Sequence, residues 1–450
     1  MCHPDTPPRF IANRSFGAIL LLSLISAPAP LIAQVDEYEQ DPIRYSRTEP
    51  DNVITRLQTK LDSGDQRLKF EDKTGYLKSV LAALDVPVSS QTLVFSKTGL
   101  QRHKISPRTP RALYFNDDIY IGICQAGDVL EISAVDPRLG TVFYTLDQEE
   151  SVQPKFLRQT DNCLICHGSS MSMGIPGHMI RSVYTDLAGF PMLGSGSVRV
   201  DQTTPIEKRW GGWYVTGQHG DTTHLGNLTI RGKQVPTDLD LSASQNLMDL
   251  SDRFDPAWYL TPHSDIVALM VLEHQTDMHN LIARAAFVTR QALHYQDSLN
   301  RDLGEAADHE WPSTGSRLES AVEPLVKYLL FSGEAPLKAP IRGTSGFAEQ
   351  FAARGPRDSQ GRSLRELDLQ TRLYKYPCSY LIESPAFEAI PARTQTLIYQ
   401  RLVNILSGKD DSKAFAHLDA TTRQTLAEML IERKPGFATL WQARSTASAD

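Results

Sequence analysis

The chain has 450 residues and five cysteines, and beyond its first 33 residues no segment approaches 18 consecutive apolar positions. No later transmembrane helix is therefore expected. It has no second C-x-x-C to complete a four-ligand zinc site. H-E-x-x-H, G-x-S-x-G, a phosphate-cradling glycine loop and internal repeats are also absent. The net charge of −7 is mild for this length. No zinc-finger spacing, basic tract or Lys/Arg-rich helix stands out, so a nucleic-acid partner is not expected. Apolar content of 41% suffices for buried cores, and the length argues for two or more domains.

Residues 1–33 read as a secretory signal. Arg9 and Arg14 precede the apolar run Ala18 to Ala33, with cleavage expected after Ala33. The alternative, an uncleaved anchor, is disfavoured because Ser26, Pro28 and Pro30 interrupt the run. Cys2 departs with the leader, leaving Cys124, Cys163, Cys166 and Cys378. In an oxidising compartment Cys124 and Cys378 either pair or stay buried as thiols; spacing does not decide.

Residues 163–167 read Cys-Leu-Ile-Cys-His. C-x-x-C-H is the attachment sequence of c-type haem. Two cysteines one helical turn apart reach both vinyl groups on one porphyrin edge, and the next residue carries an imidazole under the iron. In this motif the chain resembles exported c-type cytochromes. The resemblance implies thioether links at Cys163 and Cys166, His167 as proximal ligand of one haem c iron, and transfer of electrons to an unidentified redox partner protein. "RALYFNDDIYIGIC", "GDVLEISAVD" and "GTVFYTLD" alternate as strands between turn signals. With the motif they are locally similar to exported haem sensor domains with a PAS-like sheet, which implies architecture alone.

The sixth iron ligand separates an electron carrier from an enzyme or a gas or redox sensor with an exchangeable position. Met192 in "FPMLGSG" and His224 in "GQHGDTTHLGN" lead the candidates, followed by His219 and His178; Met171 and Met173 stand too close to His167. Each has an ordinary alternative as core filler or loop bond. Arg181, Arg199, Arg209, Trp210 and Trp213 gather in the same region, and at least one arginine is expected on a haem propionate.

The expected fold is α+β, a β-rich haem-bearing region followed by a mainly α-helical domain. The divisions are a helical segment over 34–90, β-rich 91–238, helical 239–332, an irregular loop over 333–362, and helical 363–450. Thr261 and Pro262 predict the start of a long helix with His274 and Met278 facing inward, His274 as a hydrogen-bonded core residue or a group covering the haem. Ser316 with Glu319, Ser363 with Glu366 and Thr421 with Gln424 predict capping boxes.

Overall fold

In the computed structural model, residues 36–446 are described, and the leader expected over 1–33 lies outside them. The chain is α+β as expected. Two short helices, α1 (Val53–Asp62) and α2 (Leu77–Ala83), come first. Then follow β1 (Thr92–Val94), β2 (Arg111–Phe115), β3 (Ile119–Ile123), β4 (Val129–Asp136), β5 (Gly140–Asp147) and β6 (Phe156–Gln159). With β9 (Trp213–Tyr214) they form one seven-stranded sheet, in the order β6-β5-β4-β3-β2-β1-β9 with antiparallel neighbours throughout. A one-turn helix α3 (Leu164–His167) follows β6, and β7 (Arg181–Val183) pairs with β8 (Ser197–Arg199).

Alternation along the strands assigns the two faces. Ala112, Tyr114, Ile121, Ile132, Val142 and Tyr144 point one way and pack with Ile54, Leu57, Val80 and Leu81 of α1 and α2. Phe115, Tyr120, Ser133 and Phe143 point the other way, as do Arg111, Gly122, Glu131 and Thr145. The β4–β5 hairpin closes where the Asp136 carboxylate accepts from Arg138 N and Leu139 N, and where Gly140 takes a φ of 69°.

The second face meets α4 (Ile266–Leu303), whose first half is buried on every side. The other helices are α5 (Pro312–Leu329), α6 (Phe347–Ala353), α7 (Pro385–Glu388), α8 (Ala392–Leu406), α9 (Ala420–Arg433) and α10 (Pro435–Thr446). Val94, Phe115, Tyr120 and Trp213 share one core with these helices, so sheet and helices form one compact unit, not separate domains. Among the described residues no helix is long and apolar enough to cross a membrane.

Several helix starts differ from expectation. α4 begins at Ile266, not after Thr261, because the fully buried Asp265 does more than a local cap. Its Oδ1 accepts from Val267 N and Ala268 N, and its Oδ2 from Thr344 N and Ser345 N. Ser316 lies inside α5, which opens on Pro312. Ser363 and Glu366 make a capping-box bond with no helix after it. α9 is capped by Asp419, not Thr421. The loop over 333–362 contains α6.

Candidate functional site

Cys163 stands at the N-terminal cap of α3 and His167 closes its single turn, with His167 N bonded to Cys163 O at 2.9 Å. Cys163 and Cys166 are free thiols, the first half-buried and the second exposed. Burial pushes the Cys163 thiol up to about 11. Beside them Ile165 is 76% exposed, so the α3 turn presents one edge to solvent.

His167 is fixed through Gly177. Gly177 N donates to His167 O at 2.8 Å, and His167 Nδ1 bonds Gly177 O at 2.9 Å. A carbonyl only accepts, so Nδ1 carries the hydrogen and Nε2 keeps its lone pair, the tautomer a metal-binding imidazole needs. Burial holds the ring's pKa below the usual histidine range, so the ring is neutral. It lies 4.9 Å from the Phe143 ring on β5.

The turn carrying Gly177 is itself pinned. Asn280 of α4 accepts from His178 N at 2.9 Å and donates to His178 O at 2.7 Å. A Cβ at Gly177 would run into the Asn280 amide, so only glycine lets helix and turn approach. Pro176 O accepts from Thr141 N of β5. Sheet, turn, α3 and α4 thus set the His167 ring jointly.

The other nominated histidines have other duties. His178 is buried over the sheet with Nε2 at 2.8 Å from Ser133 Oγ and Nδ1 at 3.4 Å from Thr141 Oγ1. His219 donates from Nδ1 to Thr222 O and accepts at Nε2 from Asn246 N. His224 Nδ1 accepts from Gly226 N at 3.0 Å, which puts the ring hydrogen on Nε2, the tautomer opposite to that of a ligand bound through Nε2. That Nε2 is buried without a protein partner. The loop holding His219 and His224 follows β9, five strand spacings from Phe143 on β5, or ~24 Å. The structure does not bring either to His167. Met192 is half-buried past the end of β7, its N–H bonded to Tyr184 O. Tyr184 is six residues from His178, at most ~20 Å of extended chain.

The nominated propionate partners are also engaged elsewhere. Arg199 pairs with Asp277, and Arg209 is buried against Glu273 at 2.7 Å, both carboxylates on α4. Burial lifts each carboxyl to about 7 against the pull of its arginine. Arg181 bonds Ser197 on the paired strand, and the Trp213 indole N–H donates to Arg181 O. His274 bonds Gln202 and Ser379, a core histidine that does not reach the α3 turn.

Arg111, which the sequence reading passed over, stands closer to the motif. It crosses the bare strand position of Gly122 to meet Glu131 at 2.7 Å, and its buried Nε has no partner. Arg111 and Glu131 both act electrostatically on Cys163 and His167. A strand-interior glycine in "IYIGIC" was the available signal, since it marks close approach. Cys124 and Cys378 are separate, buried thiols. Among the described residues no three His, Cys, Asp or Glu side chains converge on a metal position. No family model, curated protein or solved structure matches the chain.

Proposed function

We propose that the chain is an exported, single-haem c-type cytochrome that transfers electrons. Cys163 and Cys166 would hold the haem vinyl groups and His167 Nε2 the iron; the pattern of residues 1–33 supports a periplasmic or secreted location. The observation that carries the reading is the His167 Nδ1–Gly177 O bond, which presents the ring in its ligating tautomer directly after two free thiols. Arg111, with an unpartnered buried Nε, fits a propionate. A haem held there supplies a one-electron iron couple. The exposed α3 turn supports exchange with a partner at the surface, and Phe143 shields the ring from the sheet side.

Expression of the whole chain in a host with haem-attachment machinery tests this. The protein is expected to gain the mass of one porphyrin, and Cys163→Ala with Cys166→Ala to abolish the gain. A product with the mass of the bare polypeptide overturns the proposal.

A second reading, an enzyme or sensor with an exchangeable sixth position, is favoured by the separation of His219 and His224 from His167 and by the engagement of both His178 nitrogens. Carbon monoxide shifting the reduced spectrum supports it. An unshifted low-spin spectrum that turns high-spin in Met192→Leu supports the electron carrier.

A further inference from the structure

Between Asp85 and Asp117 the chain has no carboxylate, and Lys97, Arg102, Lys104, Arg108 and Arg111 all fall in that interval, in a protein of net charge −7. This tract joins β1 to β2. Arg102, His103 and Arg108 are exposed, and the side chains of Arg102 and Arg108 make no hydrogen bond or ion pair among the described residues. Leu100 within it is 46% exposed. The neighbouring hairpin adds apolar surface: Lys97 N bonds Gly189 O, the Lys97 ammonium lies 5.3 Å from the Phe190 ring, and Leu187 and Phe190 are both more than half exposed.

The tract is fastened beside the candidate site. The Gln101 amide donates to Val129 O and Glu131, and its oxygen accepts from Asp128 N and Val129 N. Gly99 lies against the Arg111 guanidinium. Of the carboxylates bordering it, Glu131 is taken by Arg111, Asp186 by its own turn, Asp252 by Arg253, and Asp128 faces Lys104 at 3.5 Å. Lys97, Arg102 and Arg108 therefore remain as net positive charge along a loop that meets the strand pair facing Cys163 and His167 at Gln101 and runs back to β9 at Pro107, whose carbonyl accepts from the Tyr214 hydroxyl.

We propose that the β1–β2 loop, with Leu187 and Phe190 beside it, is the docking surface for an acidic redox protein. The partner class rests on the cytochrome reading. Charge selects it: the rest of the molecule is net acidic, so an extended polyanion such as a membrane or a nucleic acid meets repulsion beyond the loop, whereas a protein partner covering ~800 Å² touches little else. Exposed leucine and phenylalanine among cations suit a small, transient interface, with attraction setting the encounter rate.

Two measurements on the full chain test this, with Arg102→Glu/Arg108→Glu and Lys104→Glu as variants. The first is retention on immobilised poly-L-glutamate, which does not require haem. Wild type is expected to elute at clearly higher salt than the double variant, with Lys104→Glu between them and thermal midpoints unchanged. Equal elution overturns the docking surface whether or not haem is attached. The second is the rate of electron exchange with hexacyanoferrate(III). A positive loop beside the redox edge makes this rate fall as salt rises, and fall about tenfold in the double variant. Control by the overall negative charge gives a rate that rises with salt, which overturns the proposal. Tighter binding to vesicles containing phosphatidylserine, or to duplex DNA, than to poly-L-glutamate replaces the acidic protein with that partner.

Discussion

Asn280 shows how one side chain far along the sequence sets the candidate ligand. Its amide satisfies both backbone groups of His178, and the adjacent Gly177 carbonyl orients His167. Asn280→Ala leaves a buried N–H and C=O unpaired and is expected to cost about 2–4 kcal/mol. Urea unfolding measures that loss, and under the proposed haem attachment a loosened His167 ring is expected to broaden the absorption bands. Loss under 0.5 kcal/mol would mean that the turn holds itself. The Cys-x-x-Cys-His spacing is legible because it lies within five consecutive residues. Asn280 is not, because its partner lies 102 residues away and nothing in either stretch announces the other.

At the scale of elements, α4 is decisive. Glu273, His274, Gln275, Asp277, His279 and Asn280 are all buried and all polar, on a helix that a simple inward stripe describes poorly. In order they reach Arg209, Ser379, Tyr120 and Tyr380, Arg199, Tyr120 again, and the His178 turn. The arginines gathered near Trp213 suggested propionate partners because their carboxylates lie 64 and 78 residues onward. The strands were read well because alternation is written within each. The helix start was misread because Thr261-Pro262 is a strong local signal, while Asp265 draws its advantage from Thr344 and Ser345. Arg209→Met strands a buried carboxylate at Glu273 and is expected to cost about 3–5 kcal/mol in urea unfolding, with Glu273→Leu in the same chain restoring most of it. A loss near zero for the single change would show that water reaches the pair.

The whole molecule has a defined response to acid. His178, His224, His274 and His279 are buried and neutral, with His224, His274 and His279 lowered to about 3 by burial. Below about pH 6.5 the unfolded chain takes up protons that the native state refuses, so stability falls with pH. Glu273 and Asp277 at about 7, and Asp118 at about 6, act oppositely: native protonation precedes unfolded protonation, and stability rises as pH falls from there toward 4. His167, His219 and His417 are lowered by burial as well and Glu383 is raised, so the histidines outnumber the opposing carboxyls and stability is expected to fall as pH drops from about 6 toward 4.5. Below about pH 4 the carboxylates no longer compensate, and the slope steepens. His274→Gln is expected to make that steep limb shallower. Urea midpoints from pH 7 to 3.5 trace the curve; a profile flat to pH 4 contradicts it.

Synthesis runs from the amino end, so every strand of the sheet is finished before the helix that covers it leaves the ribosome. Until Asp265 to Asn280 arrive, the phenol of Tyr120 and the peptide groups of His178 have only water to satisfy them. The first half of this chain therefore waits, open on one side, for its second. A message broken anywhere before that helix yields a sheet with a wet, sticky flank and no product worth keeping.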